Sequence, residues 1–198
     1  MIVWLIGCGA PVLPPAAAPV PPPAAVEPPV YPVDPSFTGE VDIPGARVEY
    51  YAVTGRNDLE LWAAIRAAAP KVGGFAHGAE TRWAIDWTWP DGGKCAPVTV
   101  TADVVVRFPR WDPPADAPAH TVGNWQRYVR ALTHHERGHV DRIRGVVDQM
   151  PAVLGAAGCE AVAARGREAL ALVAELNRAF DDETGSGHQE GATLFPAR

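Results

Sequence analysis

The chain has 198 residues, 47% of them hydrophobic and seven of them Trp, enough apolar mass for one domain with a real core plus a tail. A formal net charge of −6 and a pI near 5.5 exclude a nucleic-acid-binding surface from the expected functions. Lys71 and Lys94 are the only lysines among 17 basic residues, a skew that carries no functional weight.

Residues 1–10 hold an apolar run ending in Leu5-Ile6-Gly7-Cys8, which resembles a bacterial lipobox whose Cys is lipidated. No basic segment precedes it, and the run is shorter than a usual export signal. A start codon assigned too far downstream accounts for both. The expectation is export to the cell envelope, periplasmic or extracellular, with membrane attachment through Cys8. The run is far too short to span a bilayer as a helix.

Residues 11–35 carry 11 of the 21 prolines, interleaved with Ala and Val. Proline lacks the amide donor and fixes φ, so this stretch favours extended polyproline conformation at about 3.1 Å per residue and builds no core. It reads as a linker or spacer, and the folded domain is expected over residues 36–198.

Within that domain, residues 46–53 read as a strand on their β-branched and aromatic content. Thr54 to Asn57 is a turn, and Asn57 or Asp58 can cap a short helix over 59–69 with Leu61, Ile65 and Ala68 on one side, ended by Pro70. Residues 79–89 alternate through Thr81, Trp83, Ile85, Trp87 and Trp89 and predict a second strand. Its tryptophans fit a buried face better than a sugar-stacking surface. Pro90-Asp91-Gly92-Gly93 is a strong turn, residues 96–108 are the longest strand, and Pro109 to Pro114 break it. Together these predict a small antiparallel sheet with one short helix. A long helix over 124–149 follows, closed by Pro151 and Gly155. A second helix over 159–180, with Val162, Ala169, Val173, Leu176 and Phe180 as its buried stripe, runs back antiparallel. A glycine-rich tail covers 185–191. The fold class is α+β.

The first long helix carries His135-Glu136-Arg137-Gly138-His139, the H-E-x-x-H pattern of zinc hydrolases. Residues four apart share a helix face, so both imidazoles can reach one ion at about 2.0–2.1 Å. Trp125, Tyr128, Leu132, His135, His139, Ile143 and Val147 recur at steps of three or four and form a single stripe. Two His and a Glu on such an apolar face are expensive to bury unless something pairs with them, and a metal ion does so. Glu136 then stands beside the open coordination position as general base. His134 points off this face and reads as a solvated histidine.

A catalytic zinc takes three protein ligands and a water. The returning helix and the loop after it supply Glu175, Asp181, Asp182 and His188 as candidates for the third. Asp181 sits just past the predicted helix end, where the chain is free to point a short carboxylate inward. His188 is the alternative ligand, or the group that stabilises the oxyanion of the tetrahedral intermediate. Of the three cysteines, Cys95 and Cys159 are the natural disulfide in an exported protein, leaving Cys8 for lipid, with a stabilisation of about 2–4 kcal/mol.

Cys95, Pro109-Arg110-Trp111, the His135–His139 motif, Cys159 and Phe180-Asp181-Asp182-Glu183-Thr184 together resemble the DUF922 group of bacterial envelope proteins, over roughly Val48 to Gly191. The family's C-terminal His falls on Ser186 without a gap and on His188 with a two-residue insertion, whereas Asp181 matches with no shift, so the resemblance makes Asp181 the preferred third ligand. The resemblance implies a zincin-like, zinc-dependent protease. The sequence names no substrate: a peptide, a protein or a cell-wall peptide are all open. A monomer is expected. Two rival readings stay open, an envelope lipoprotein with a structural zinc and a binding role, and a cell-wall amidase.

Overall fold

The computed structural model describes residues 34, 37, 39–72, 75–89 and 97–195. The lipobox-like start with Cys8, nearly all of the proline-rich stretch, the Pro90–Gly93 turn and Cys95 lie outside the described residues. Ten elements follow in order: β1 (Arg47–Ala52), α1 (Asp58–Ala68), β2 (Lys71–Val72), β3 (Phe75–Ala76), β4 (Glu80–Thr88), β5 (Thr99–Arg110), α2 (Ala119–Val147), α3 (Met150–Ala156), α4 (Cys159–Thr184) and a 3-10 turn, η1 (His188–Glu190). The class is α+β, as expected.

The sheet is mixed rather than antiparallel. Its order is β1-β5-β4, with β4 antiparallel to β5 and β1 parallel to it. Alternation along a strand reports which face is buried and is silent on direction. A parallel neighbour needs only a long crossover, and the chain between β1 and β5 includes α1 and β4. β5 also continues through Pro109, which pairs with Tyr51 of β1, instead of breaking before it. The β4 register stops at Arg107. Pro109 therefore sits where β5 has a neighbour on one side only, and its missing N–H disrupts no ladder. β2 and β3 form a separate two-stranded hairpin too short to announce itself in the sequence.

Asn57 caps α1 by accepting from the Glu60 amide at 3.0 Å, while the Glu60 carboxylate accepts from the Arg56 amide at 2.8 Å. α2 begins five residues earlier than its periodicity suggests. Its first two turns contain Thr121, Val122 and Gly123, weak helix formers, but Thr121 and Trp125 are buried there and packing overrides propensity. Pro151 opens a short helix rather than closing a long one, since proline is tolerated in a first turn. All seven residues of the α2 stripe are buried. On α4, Val162, Val173 and Phe180 are buried, but Leu176 is 36% exposed and does not belong to the stripe.

The core lies between the sheet and α2. Val104, Val106 and Phe108 of β5 meet Tyr128, Leu132, Val140 and Ile143 of α2 in one cluster, each such side chain contributing about 1.5–3 kcal/mol on burial. Trp83 and Trp87 of β4 pack partly buried against that cluster, while Trp89 is exposed. The Trp87 ring lies where a Cβ on Gly166 of α4 would fall, 2.2 Å from Cζ2. A helix glycine thus lets the sheet approach α4.

Candidate metal centre

α2 is fixed on the sheet by its apolar stripe, and that stripe carries His135 and His139 inward, both under 10% exposed. α4 runs antiparallel beside it, so that Asn177 stands opposite His139 and Asp181, one turn later, opposite His135 and His139 together. The two Nε2 atoms are 3.2 Å apart. Asp181 Oδ1 lies 3.3 Å from each.

The outer nitrogens decide what this triangle can do. Asn177 Nδ2 donates to the Val173 carbonyl at 2.8 Å, so its Oδ1 is the atom facing His139 Nδ1 at 2.7 Å. Glu190 Oε2 faces His135 Nδ1 at 2.8 Å. Both partners accept, so both Nδ1 atoms donate, and both neutral imidazoles turn Nε2 lone pairs toward each other and toward Asp181. Three lone-pair donors converging on one point suit a cation. Donors about 2.0–2.1 Å from a tetrahedral ion stand about 3.3–3.4 Å from one another, which is the triangle seen here. Without an ion a proton must serve. Burial pushes His135 toward the neutral form, but Asp181, Glu136 and Glu190 outweigh it and its pKa is raised. Burial also lifts the Asp181 carboxyl, yet the bonds to His135 and His139 prevail and hold it well below the usual carboxylate range.

Phe180 sets the spacing of the cluster. Its ring stacks on His135 at 5.0 Å between centroids and meets His139 edge-on at 5.1 Å. Arg142 lies over the same ring at 3.7 Å. The motif's Gly138 permits this, since a Cβ there would fall 2.4 Å from Phe180 Cζ.

Glu136 is buried at 3% exposure and points to the β4 side, where Thr81 Oγ1 donates to its Oε2 at 2.6 Å. Burial raises its pKa, against the opposing pull of His139, Thr81 and His135. A cavity of about 220 Å³ opens between β4 and the two helices, with His77, Thr81, Trp83, Glu136, Asn177 and Ser186 in its walls alongside the three donors.

The family described as "Bacterial protein of unknown function (DUF922)" matches residues 48–189. The chain belongs to the DUF922 family. Comparison with curated proteins found no match, and comparison with solved structures found none.

In this DUF922 chain the structure brings together His135, His139 and Asp181, with Glu136 beside them in the cavity wall, and no other set of three described His, Cys, Asp or Glu residues forms such a group. His188 is not gathered with them. It is exposed on η1 and does not line the cavity, because the turn that carries it points Glu190 inward instead. Glu175 is also exposed, on the far side of α4. His134 is exposed as expected, yet not isolated: its Nε2 lies 3.5 Å from Glu190 Oε1. Thr81, Asn177, Glu190 and His77 are site residues that the pattern of the sequence did not single out. Asn177 carried a faint signal, four residues before Asp181 and so on the same helix face. Cys159 is disulfide-bonded. The other two cysteines, Cys8 and Cys95, lie outside the described residues, so the Cys95–Cys159 pairing remains a proposal.

Proposed function

We propose that this DUF922 chain is a zinc-dependent hydrolase of peptide bonds, with His135, His139 and Asp181 holding the ion and Glu136 as general base. The observation that carries this reading is the convergence of three lone-pair donors beside a buried carboxylate, at the wall of an open cavity. Three donors, rather than four, are gathered among the described residues, which favours a catalytic site over a closed structural one.

A bound zinc supplies Lewis-acid polarisation of a carbonyl and brings the pKa of water to about 7. The remaining chemistry belongs to the chain. Glu136 accepts the proton of the attacking water and delivers it to the leaving amine, and the upward shift that burial gives its pKa favours holding that proton between the two steps. Thr81 keeps the second carboxylate oxygen satisfied, which fixes the direction of the first. His77 lines the cavity alongside the two ligand imidazoles and, being outside the donor triangle, is the candidate for the oxyanion-stabilising role that the sequence offered to His188. A peptide substrate is favoured by β4. It is an edge strand, and the stretch from His77 to Trp83 lines the cavity, so an extended chain can lie along it. The cell envelope, with attachment through Cys8, is the proposed location. No helix among the described residues is long and apolar enough to cross a membrane.

The test is elemental analysis joined to a screen of quenched peptide substrates. Wild type should carry one zinc per chain and cleave. Glu136→Gln should keep the zinc and lose cleavage, and His135→Ala should lose the zinc. Full activity in Glu136→Gln would overturn the mechanism.

A further inference from the structure

We propose that Glu190, held in place by Arg127, is the positioning residue that fixes the tautomer and direction of His135, so that residues 187–194 are part of the metal centre. The inference rests on the metal reading above and extends it to a residue beyond the end of the family match at position 189.

Glu190 reaches His135 by a tight reversal of the chain. α4 ends at Gly185 in the left-handed region, φ 58°, Ser186 follows at φ 52° and Gly187 at φ 81°. Glycine adopts such angles without strain at 185 and 187, and Ser186 between them is the one non-glycine residue among those described with a positive φ. Gly187 has a second reason to lack a side chain, since a Cβ would lie 3.0 Å from His135 Cγ. The reversal brings the Glu190 carboxylate, 17% exposed, to 2.8 Å from His135 Nδ1. An ionised carboxylate only accepts, so Nδ1 must carry the proton and Nε2 must offer its lone pair.

The turn is anchored away from the centre. Arg127, two helical turns before His135 on α2, donates from Nη1 to the Gly191 carbonyl at 3.2 Å and from Nη2 to the Leu194 carbonyl at 3.0 Å. Leu194 is fully buried in the core cluster. The Ala192 amide closes back on the Gly187 carbonyl at 3.0 Å. Arg127 and Leu194 therefore pin the segment that follows Glu190, and η1 pins the segment before it. His139 is oriented by a neutral amide, Asn177, so the two imidazoles are held by unlike acceptors. A carboxylate raises the basicity of the ring it accepts from more than an amide does.

Zinc affinity of the full chain, measured by competition with a chromogenic chelator, tests this without any substrate. Glu190→Ala should bind zinc about 10–100-fold more weakly than wild type. Glu190→Gln fills the same volume and should fall between the two, and Arg127→Met should weaken binding in the same direction. Glu183→Ala, exposed at the end of α4, should match wild type. The visible spectrum of the cobalt-loaded protein should change in Glu190→Gln, a signature that loss of packing alone does not give. Wild-type affinity and an unchanged cobalt spectrum in Glu190→Met, which fills the space and accepts no such bond, would overturn the proposal, because filling the space would then suffice. A wild-type chain that binds no zinc overturns the metal reading itself, which separates the two failures.

Discussion

Gly138 and Gly145 lie seven residues apart in the same helix, and replacing each by Ala isolates what the metal-site motif requires of its glycine. Ala is preferred over Gly in a helix interior by about 1 kcal/mol. A Cβ on Gly145 meets nothing within 4 Å, so Gly145→Ala should stabilise by up to about that amount. A Cβ on Gly138 lies 2.4 Å from Phe180 Cζ and 2.6 Å from Cε1, more than 1 Å inside ordinary contact of about 3.5–4.0 Å. The ring has little room to retreat, with Arg142 over it and His135 stacked on it. Overpacking of this kind costs about 1–3 kcal/mol, and the lost stacking adds about 0.5–1.5 kcal/mol. The helix gain is common to both variants, so their difference reads the clash alone, about 1.5–4.5 kcal/mol. Thermal unfolding of the metal-free proteins measures it, at about 2–4 °C per kcal/mol for a domain of this size. Because Phe180 adjoins Asp181, zinc affinity should fall in Gly138→Ala and hold in Gly145→Ala. Equal melting temperatures and equal affinities in the two variants would refute this placement of Phe180.

Three further outcomes are expected. Thr81→Val leaves a buried carboxylate oxygen without its hydroxyl donor and should destabilise by about 1.5–3 kcal/mol, with Thr81→Ser closer to wild type; chemical denaturation reads both, and a neutral Thr81→Val would remove the bond from the account. The metal-free protein should lose stability as pH rises. His135 is raised above 6.5, so its contribution is full below that value and lost through its folded pKa. Glu136, raised above 4.5, acts in the same direction as it ionises, while Asp181, lowered from 3.8, protects above its unfolded value and fails only in acid. Zinc must displace the proton, so the zinc-induced rise in melting temperature should grow from about pH 6 to 8, and a metal-free protein that gains stability over that range contradicts the reasoning. Peptide mapping under non-reducing conditions should place Cys95 opposite Cys159, with reduction costing about 2–4 kcal/mol; a Cys8–Cys159 link would exclude the proposed lipid anchor.

Much of this protein was legible without coordinates. The α2 stripe follows from a period near 3.6 on residues that have nowhere to go but a core, and it delivers His135, Glu136 and His139 to one face by helix geometry alone. The antiparallel return offered Glu175, Asp181, Asp182 and His188 as third donors, and the family resemblance, not the return itself, singled out Asp181. Strand positions, the Asn57 cap and the α+β class also come from local pattern. The direction of β1 does not, since alternation is the same for parallel and antiparallel partners. Nor does the choice of Glu190 over His188. The two lie two residues apart on a glycine-rich turn, and which of them faces inward is set by left-handed angles at 185–187 and by Arg127 some 60 residues earlier. Thr81 of β4 and His77 just before it reach the site from a segment more than 50 residues before the motif on α2. The sequence by itself determined the helix-borne donors, because their spacing is a local property of one element. Only the tertiary structure decided what surrounds them, because those contacts join segments whose separation along the chain carries no periodic signal.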